Sequence, residues 1–93
     1  MERIKVYNAI DSERDHQDRK WGTIEKHPHE VGGWITLMRK LINDAEVAWS
    51  TSATDYNALE EIRKVIAVGV ACGEQHGLQT RSKFVESFER MRT

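Results

Sequence analysis

The segment "ERDHQDRKWG" carries the residues whose types and spacing could do chemistry. On a helical wheel, one face of this segment gathers two acids, an amide and an aromatic ring, at Glu13, Asp18, Gln17 and Trp21. The polar groups could hydrogen-bond a ligand, and the indole could stack on a flat one. Two interpretations are open. The segment is either a surface helix pinned by Ile10 and Trp21 with a solvated middle, or one wall of a wet cavity that holds a polar ligand.

Other reactive side chains carry weaker signals. His27 and His29, in "KHPH", are typical either of metal or acid–base sites or of an ordinary surface loop. His76 falls in the last turn of a helix, where a cation suits the helix dipole. Cys72 lies in an apolar run, which favours a small buried side chain over a reactive thiol.

Length and composition restrict the class of protein. A chain of 93 residues, of which 39% are apolar, predicts one helical domain over 1–93 with a modest core, which oligomerisation would supplement. A net charge of −1 does not indicate a nucleic-acid partner or a charged membrane surface. We find no apolar run of membrane-spanning length and no signal-peptide pattern. The single cysteine is typical of a reducing compartment, so we expect a cytoplasmic protein.

Helical periodicity, interrupted by Pro28, Gly32–Gly33 and Gly77, predicts an all-α bundle with antiparallel neighbours. The first helix is capped by Asp11 or Ser12, although a start near Val6 or Tyr7 is an alternative. A loop over Thr23–Gly33 and a linker over Ser50–Asp55 separate the first three helices. The four predicted helices span about Asp11–Trp21, Gly33–Trp49, Asp55–His76 and Thr80–Met91.

The apolar faces predict how these helices pack. Trp34 and Trp49 bracket the second helix and are expected to anchor the core. In the third helix, "VIAVGVACG" is apolar all round, which predicts the middle of a bundle or a subunit interface. We therefore expect a homo-oligomer, most simply a dimer. Arg63 lies on the apolar side of the third helix and would either reach an acid such as Asp44 across the bundle or extend to solvent.

Three segments together resemble a known family. They are "ERDHQDRKWG", the loop "KHPH" followed by "WITLM", and "YNALEEIRKVIAVGVACGEQH". Over about residues 10–77 the chain resembles short MazG-like proteins of phages and mobile gene cassettes. The resemblance implies a four-helix MazG-like bundle that is completed by homo-oligomerisation. It also implies a nucleoside triphosphate pyrophosphohydrolase that uses Mg²⁺ to release pyrophosphate.

The acidic motifs depart from that family's pattern. MazG-like proteins carry Glu-x-x-Glu on the second helix and a further acidic pair on the third. Here the resemblance leaves Asp44 and Glu61 as the expected metal ligands, so the expected cage for Mg²⁺ is degenerate. A rearranged site formed by Glu13, Asp18 and Glu61 is an alternative. Lys40 and Lys64 stand near the missing acids. They would repel a cation but could neutralise a phosphate directly.

Two functions therefore stay open, and whether the protein is an enzyme stays open with them. The first is a divergent Mg²⁺-dependent pyrophosphohydrolase. The second, which we favour, is a MazG-like scaffold that binds a nucleotide or another small anion without efficient hydrolysis. The residues expected to contact such a ligand are Glu13, Gln17, Asp18, Trp21, Lys40 and Lys64.

Overall fold

The computed structural model describes residues 1–52 and 54–81, and that part of the chain is helical without strands. Its three helices are α1 (Arg3–Trp21), α2 (Val31–Thr51) and α3 (Tyr56–His76). The all-helical class is confirmed. The predicted fourth helix, about Thr80–Met91, lies almost entirely outside the described residues and stays a prediction. None of the described helices is long and apolar enough to cross a membrane.

Helix α1 begins well before the residues predicted to cap it. Ser12 lies in mid-helix, where its hydroxyl donates to the Ala9 carbonyl at 2.7 Å, so the predicted cap at Asp11 or Ser12 is wrong. Extending a nucleated helix costs little, and residues 3–10 contain no glycine or proline to stop it. The predicted end is confirmed. Gly22 has φ 88° and its N–H donates to the Asp18 carbonyl, a conformation that favours glycine.

Helix α3 is the centre of the described fold, because it packs against both α1 and α2, whereas these two helices do not pack on each other within the described residues. The contact between α2 and α3 is apolar. Trp34, Val68 and Ala71 form its buried core, and Cys72 is half-buried against it. Ala67 is fully buried. Small residues on α3 allow the helix backbones to approach closely.

The structure overturns one expectation about apolar residues and leaves another open. Trp49 is 65% exposed, so its predicted role as a core anchor is wrong. Ala45 and Ala48 take the inward positions of that turn, and Trp49 lies one residue beyond them. In the apolar run of α3, Ile66 and Val70 remain 44% and 38% exposed. One side of the run therefore stays accessible.

Candidate functional site

The polar face of α1 is buried against α3. Ile10, Glu13, Arg14 and Gln17 are its buried residues, and all three polar ones are at most 7% exposed. The interpretation of a helix with a solvated middle is therefore wrong. Since buried charges must be paired, the α1–α3 contact depends on where these side chains find partners.

The first ionic cluster joins Glu13 to α3. Arg63 donates from Nε to Glu13 Oε1 at 2.8 Å, and both of its Nη atoms donate to the carboxylate of Glu60. Arg63 thus reaches an acid across the helix contact, but that acid is Glu13 and not Asp44. The hydrogen bonds from Arg63 lower the pKa of Glu60, and those to Glu60 and Glu13 raise the pKa of Arg63.

The second cluster is built around Arg14, which shares the α1 face predicted from the sequence but was not among the expected ligand contacts. Its Nε and Nη2 donate to the two carboxylate oxygens of Glu74 at 3.2 and 2.7 Å. It also donates to Asp18 Oδ1 at 3.0 Å and to Gln17 Oε1 at 3.3 Å. The hydrogen bond to Glu74 is the main cause of the raised pKa of Arg14. The helical wheel places Arg14 beside Gln17, so its position on this face could be predicted. No pattern in the sequence predicts its pairing with Glu74, which is 60 residues away.

The acids expected to bind metal each pair with a lysine on their own helix. Asp44 Oδ2 lies 3.4 Å from Lys40 Nζ, and Glu61 Oε1 lies 3.0 Å from Lys64 Nζ. Within residues 1–52 and 54–81, no group of three or more histidine, cysteine, aspartate or glutamate side chains could hold a metal ion. In this structure Asp44 and Glu61 are paired with these lysines, and the metal site stays a prediction of the resemblance.

A groove of about 460 Å³ lies at the C-terminal end of α1, under the loop over residues 22–30. Gln17, Asp18 and Trp21 line it, whereas Glu13, Lys40 and Lys64 are not among its lining residues. Trp21 is 51% exposed, and Lys20 Nζ lies 5.1 Å from the centre of its ring. The remaining lining residues are Arg14, Lys20, Gly22, Ile24, His27, His29, Trp34, Leu37, Val68 and Ala71.

Gln75 holds the loop that covers this groove. Its Oε1 accepts from Trp34 Nε1 at 2.9 Å and from the His29 backbone N–H at 3.1 Å, and its Nε2 donates to the His29 carbonyl at 2.7 Å. The ring of His29 meets Trp34 edge-on, with centroids 4.6 Å apart. His76 Nε2 lies 2.8 Å from the same His29 carbonyl. Gln75 was missed because no sequence pattern connects it with a residue 46 positions away.

Removing this amide should loosen the loop. We expect Gln75→Ala to lower the free energy of unfolding by about 1–2 kcal/mol, since it deletes three hydrogen bonds, one of them to a buried indole. Urea denaturation followed by circular dichroism measures the change. Gln79→Ala is the matched control, because Gln79 is exposed beyond the end of α3. Equal effects of the two substitutions would contradict the role given to Gln75.

No family model, curated protein or solved structure matches this chain. The resemblance to MazG-like proteins therefore stays a prediction from the quoted segments. A proposal for function depends on the groove and the ionic clusters.

Proposed function

We propose that this protein binds a small ligand that joins a flat ring to an anionic group, with nucleotides as the closest class, and that it does not hydrolyse it efficiently. The observation that best supports this proposal is the half-exposed indole of Trp21, which lines the groove beside the ammonium of Lys20. The indole offers a stacking face, and the lysine offers a charge for phosphate.

The dimensions and lining of the groove support this class of ligand. A volume of about 460 Å³ lies within the range of small-molecule sites, which combine an apolar lining with a few polar groups. Leu37, Val68 and Ala71 supply the apolar part. The charge of Asp18 is opposed by Arg14, so it repels an anion less than a free carboxylate would.

The state of the carboxylates favours binding over turnover. A carboxylate binds a metal or activates water through its own oxygen atoms, and a cation already paired with it competes for them. Each of the four acids put forward from the sequence forms a salt bridge. The pairs are Glu13–Arg63, Asp18–Arg14, Asp44–Lys40 and Glu61–Lys64.

Calorimetry with a panel of nucleoside mono-, di- and triphosphates tests the proposal. Trp21→Ala should weaken binding about tenfold or more, since stacking of a base on an aromatic side chain contributes about 1–3 kcal/mol. Trp49→Ala is the matched control, because Trp49 is also exposed but lies near the far end of α2, outside the groove. Absence of binding by the wild-type protein, or equal binding by both variants, would contradict the proposal.

The same protein tests the alternative, a divergent pyrophosphohydrolase. Pyrophosphate release from nucleoside triphosphates is measured with Mg²⁺ or Mn²⁺. Metal-dependent release that is lost in Glu61→Ala would establish the alternative and overturn the non-hydrolytic proposal. Binding without release supports the proposal.

We also propose that the chain forms a homo-oligomer, most simply a dimer. Exposed isoleucine and valine side chains on both α2 and α3 support this, because a small chain gains stability by covering such a surface. These side chains are Ile35, Ile42, Ile62, Ile66 and Val70.

A further inference from the structure

One face of α2 carries an apolar strip flanked by opposite charges. Ile35, Met38 and Ile42 lie along it at spacings of three and four, and Ile35 and Ile42 are 50% and 51% exposed. Together with Arg39, Asn43 and Glu46 they line a shallow groove of about 420 Å³. An exposed apolar strip of this kind is typical of a helix that packs against another helix.

The strip continues onto α3. Trp34, near the start of α2, bonds to Gln75, near the end of α3, so the two helices are antiparallel. Met38 lies against Gly69 of α3, where its sulfur would be 3.6 Å from an added Cβ. Seen from this contact, Ile35 and Ile42 lie on one side of α2. Ile62, Ile66 and Val70 lie on the same side of α3.

The ligand groove is on the opposite side of this helix pair. On the helical wheel of α2, Trp34 and Leu37 lie on the side of Met38 that is opposite to Ile35 and Ile42. Both Trp34 and Leu37 line the 460 Å³ groove. A partner on the apolar strip would therefore leave the ligand groove open.

The charges in the strip indicate what the partner is. Arg39 and Glu46 are about two turns apart on one face of α2, and neither forms a salt bridge with another residue of 1–52 or 54–81. They are equally distant from a point between Ile42 and Asn43. If a second α2 crossed this point antiparallel, about a twofold axis, each Arg39 would face the Glu46 of the other copy. A twofold interface is self-complementary in this way.

We propose that α2 pairs with α2 of a second copy of this chain, antiparallel, about a twofold axis beside Ile42. The partner covers Ile35 and Ile42, and two Arg39–Glu46 pairs between copies set the register. Apolar burial supplies the association, and the charge pairs exclude other registers. This inference locates the oligomer proposed above and is independent of the ligand groove.

Sedimentation of the full chain tests the arrangement. The wild type should be a dimer at micromolar concentration. Arg39→Glu alone, or Glu46→Arg alone, places two like-charge pairs in the interface and should weaken dimerisation about tenfold or more. When the two variants are mixed, opposite charges face each other at both positions. The mixed dimer should then regain wild-type affinity, which also shows that each variant is folded.

Lys40→Glu is the matched control. It makes the same charge change as Arg39→Glu on the adjacent residue, but outside the groove, and should leave the dimer intact. A monomeric wild type would overturn the proposal, as would a dimer that neither reversal weakens or a mixture no tighter than the single variants. If another part of the same chain covered the strip, the wild type would be a monomer. Nucleotide binding by the same samples is measured separately by calorimetry. A failure of the proposed ligand groove can therefore be distinguished from a failure of the proposed dimer.

Discussion

Replacing Arg63 by methionine should lower the free energy of unfolding by about 3 kcal/mol or more. The substitution removes the partner of Glu13, whose side chain is only 7% exposed, and leaves its carboxylate buried without a compensating charge. Glu60 is affected less, because it remains accessible to water. Chemical denaturation followed by circular dichroism measures the loss, with m values compared to verify that the folded state is retained.

A double substitution separates the cost of an unpaired charge from the cost of a lost contact. Glu13→Met with Arg63→Met removes both charges and should recover most of the stability, because replacing a buried ion pair by apolar groups is often nearly neutral. Lys64→Met is the matched single control. It removes a neighbouring cation whose pair with Glu61 is partly exposed and should cost less than about 1 kcal/mol. If the single and double variants were equally unstable, the ionic account of the α1–α3 contact would fail.

Replacing Trp34 by alanine should lower the free energy of unfolding by about 3–5 kcal/mol. Trp34 is 5% exposed, packs in the core with Val68 and Ala71, and donates its indole N–H to Gln75. The substitution leaves a cavity and frees the amide that holds the loop. Since small domains are stable by about 5–15 kcal/mol, the variant should melt well below the wild type.

Trp49→Ala makes the same chemical change on the same helix at a position that is 65% exposed. It should cost less than about 1 kcal/mol. Thermal melting of the two variants compares them directly. A loss in Trp34→Ala no larger than in Trp49→Ala would show that the α2–α3 core is not centred on Trp34.

The ionic clusters explain why α1 is so polar. Buried ion pairs contribute little net stability because desolvation offsets the attraction. In this protein we expect their geometry to fix how α1 sits on α3. Arg14 and Arg63 each bind acids on both α1 and α3. We expect this pairing to hold the end of α1 in place, and with it Lys20 and Trp21 at the rim of the groove.

The fold could be predicted from local patterns to a useful extent. The predicted bounds of α2, Gly33–Trp49, are within two residues of the observed Val31–Thr51 at each end. The predicted bounds of α3, Asp55–His76, differ from the observed Tyr56–His76 by one residue at the start. Apolar periodicity and the break at Gly77 are local signals, so one sequence contains them. The start of α1 was placed too late because its N-cap residue, Glu2, makes no side-chain capping hydrogen bond, so no capping pattern marks the first turn.

The sequence by itself determined the helical class and the face that Glu13, Arg14, Gln17, Asp18 and Trp21 share, because both follow from a 3.6-residue period. Only the tertiary structure decided what that face meets. From the sequence, Arg63 could have bound Asp44 or extended to solvent. It binds Glu13 because of which helix surfaces are buried together. Arg14 with Glu74, and Gln75 with His29, join residues 60 and 46 positions apart. No local period encodes such distances, so the groove and its loop appear only when α1 and α2 are both packed on α3.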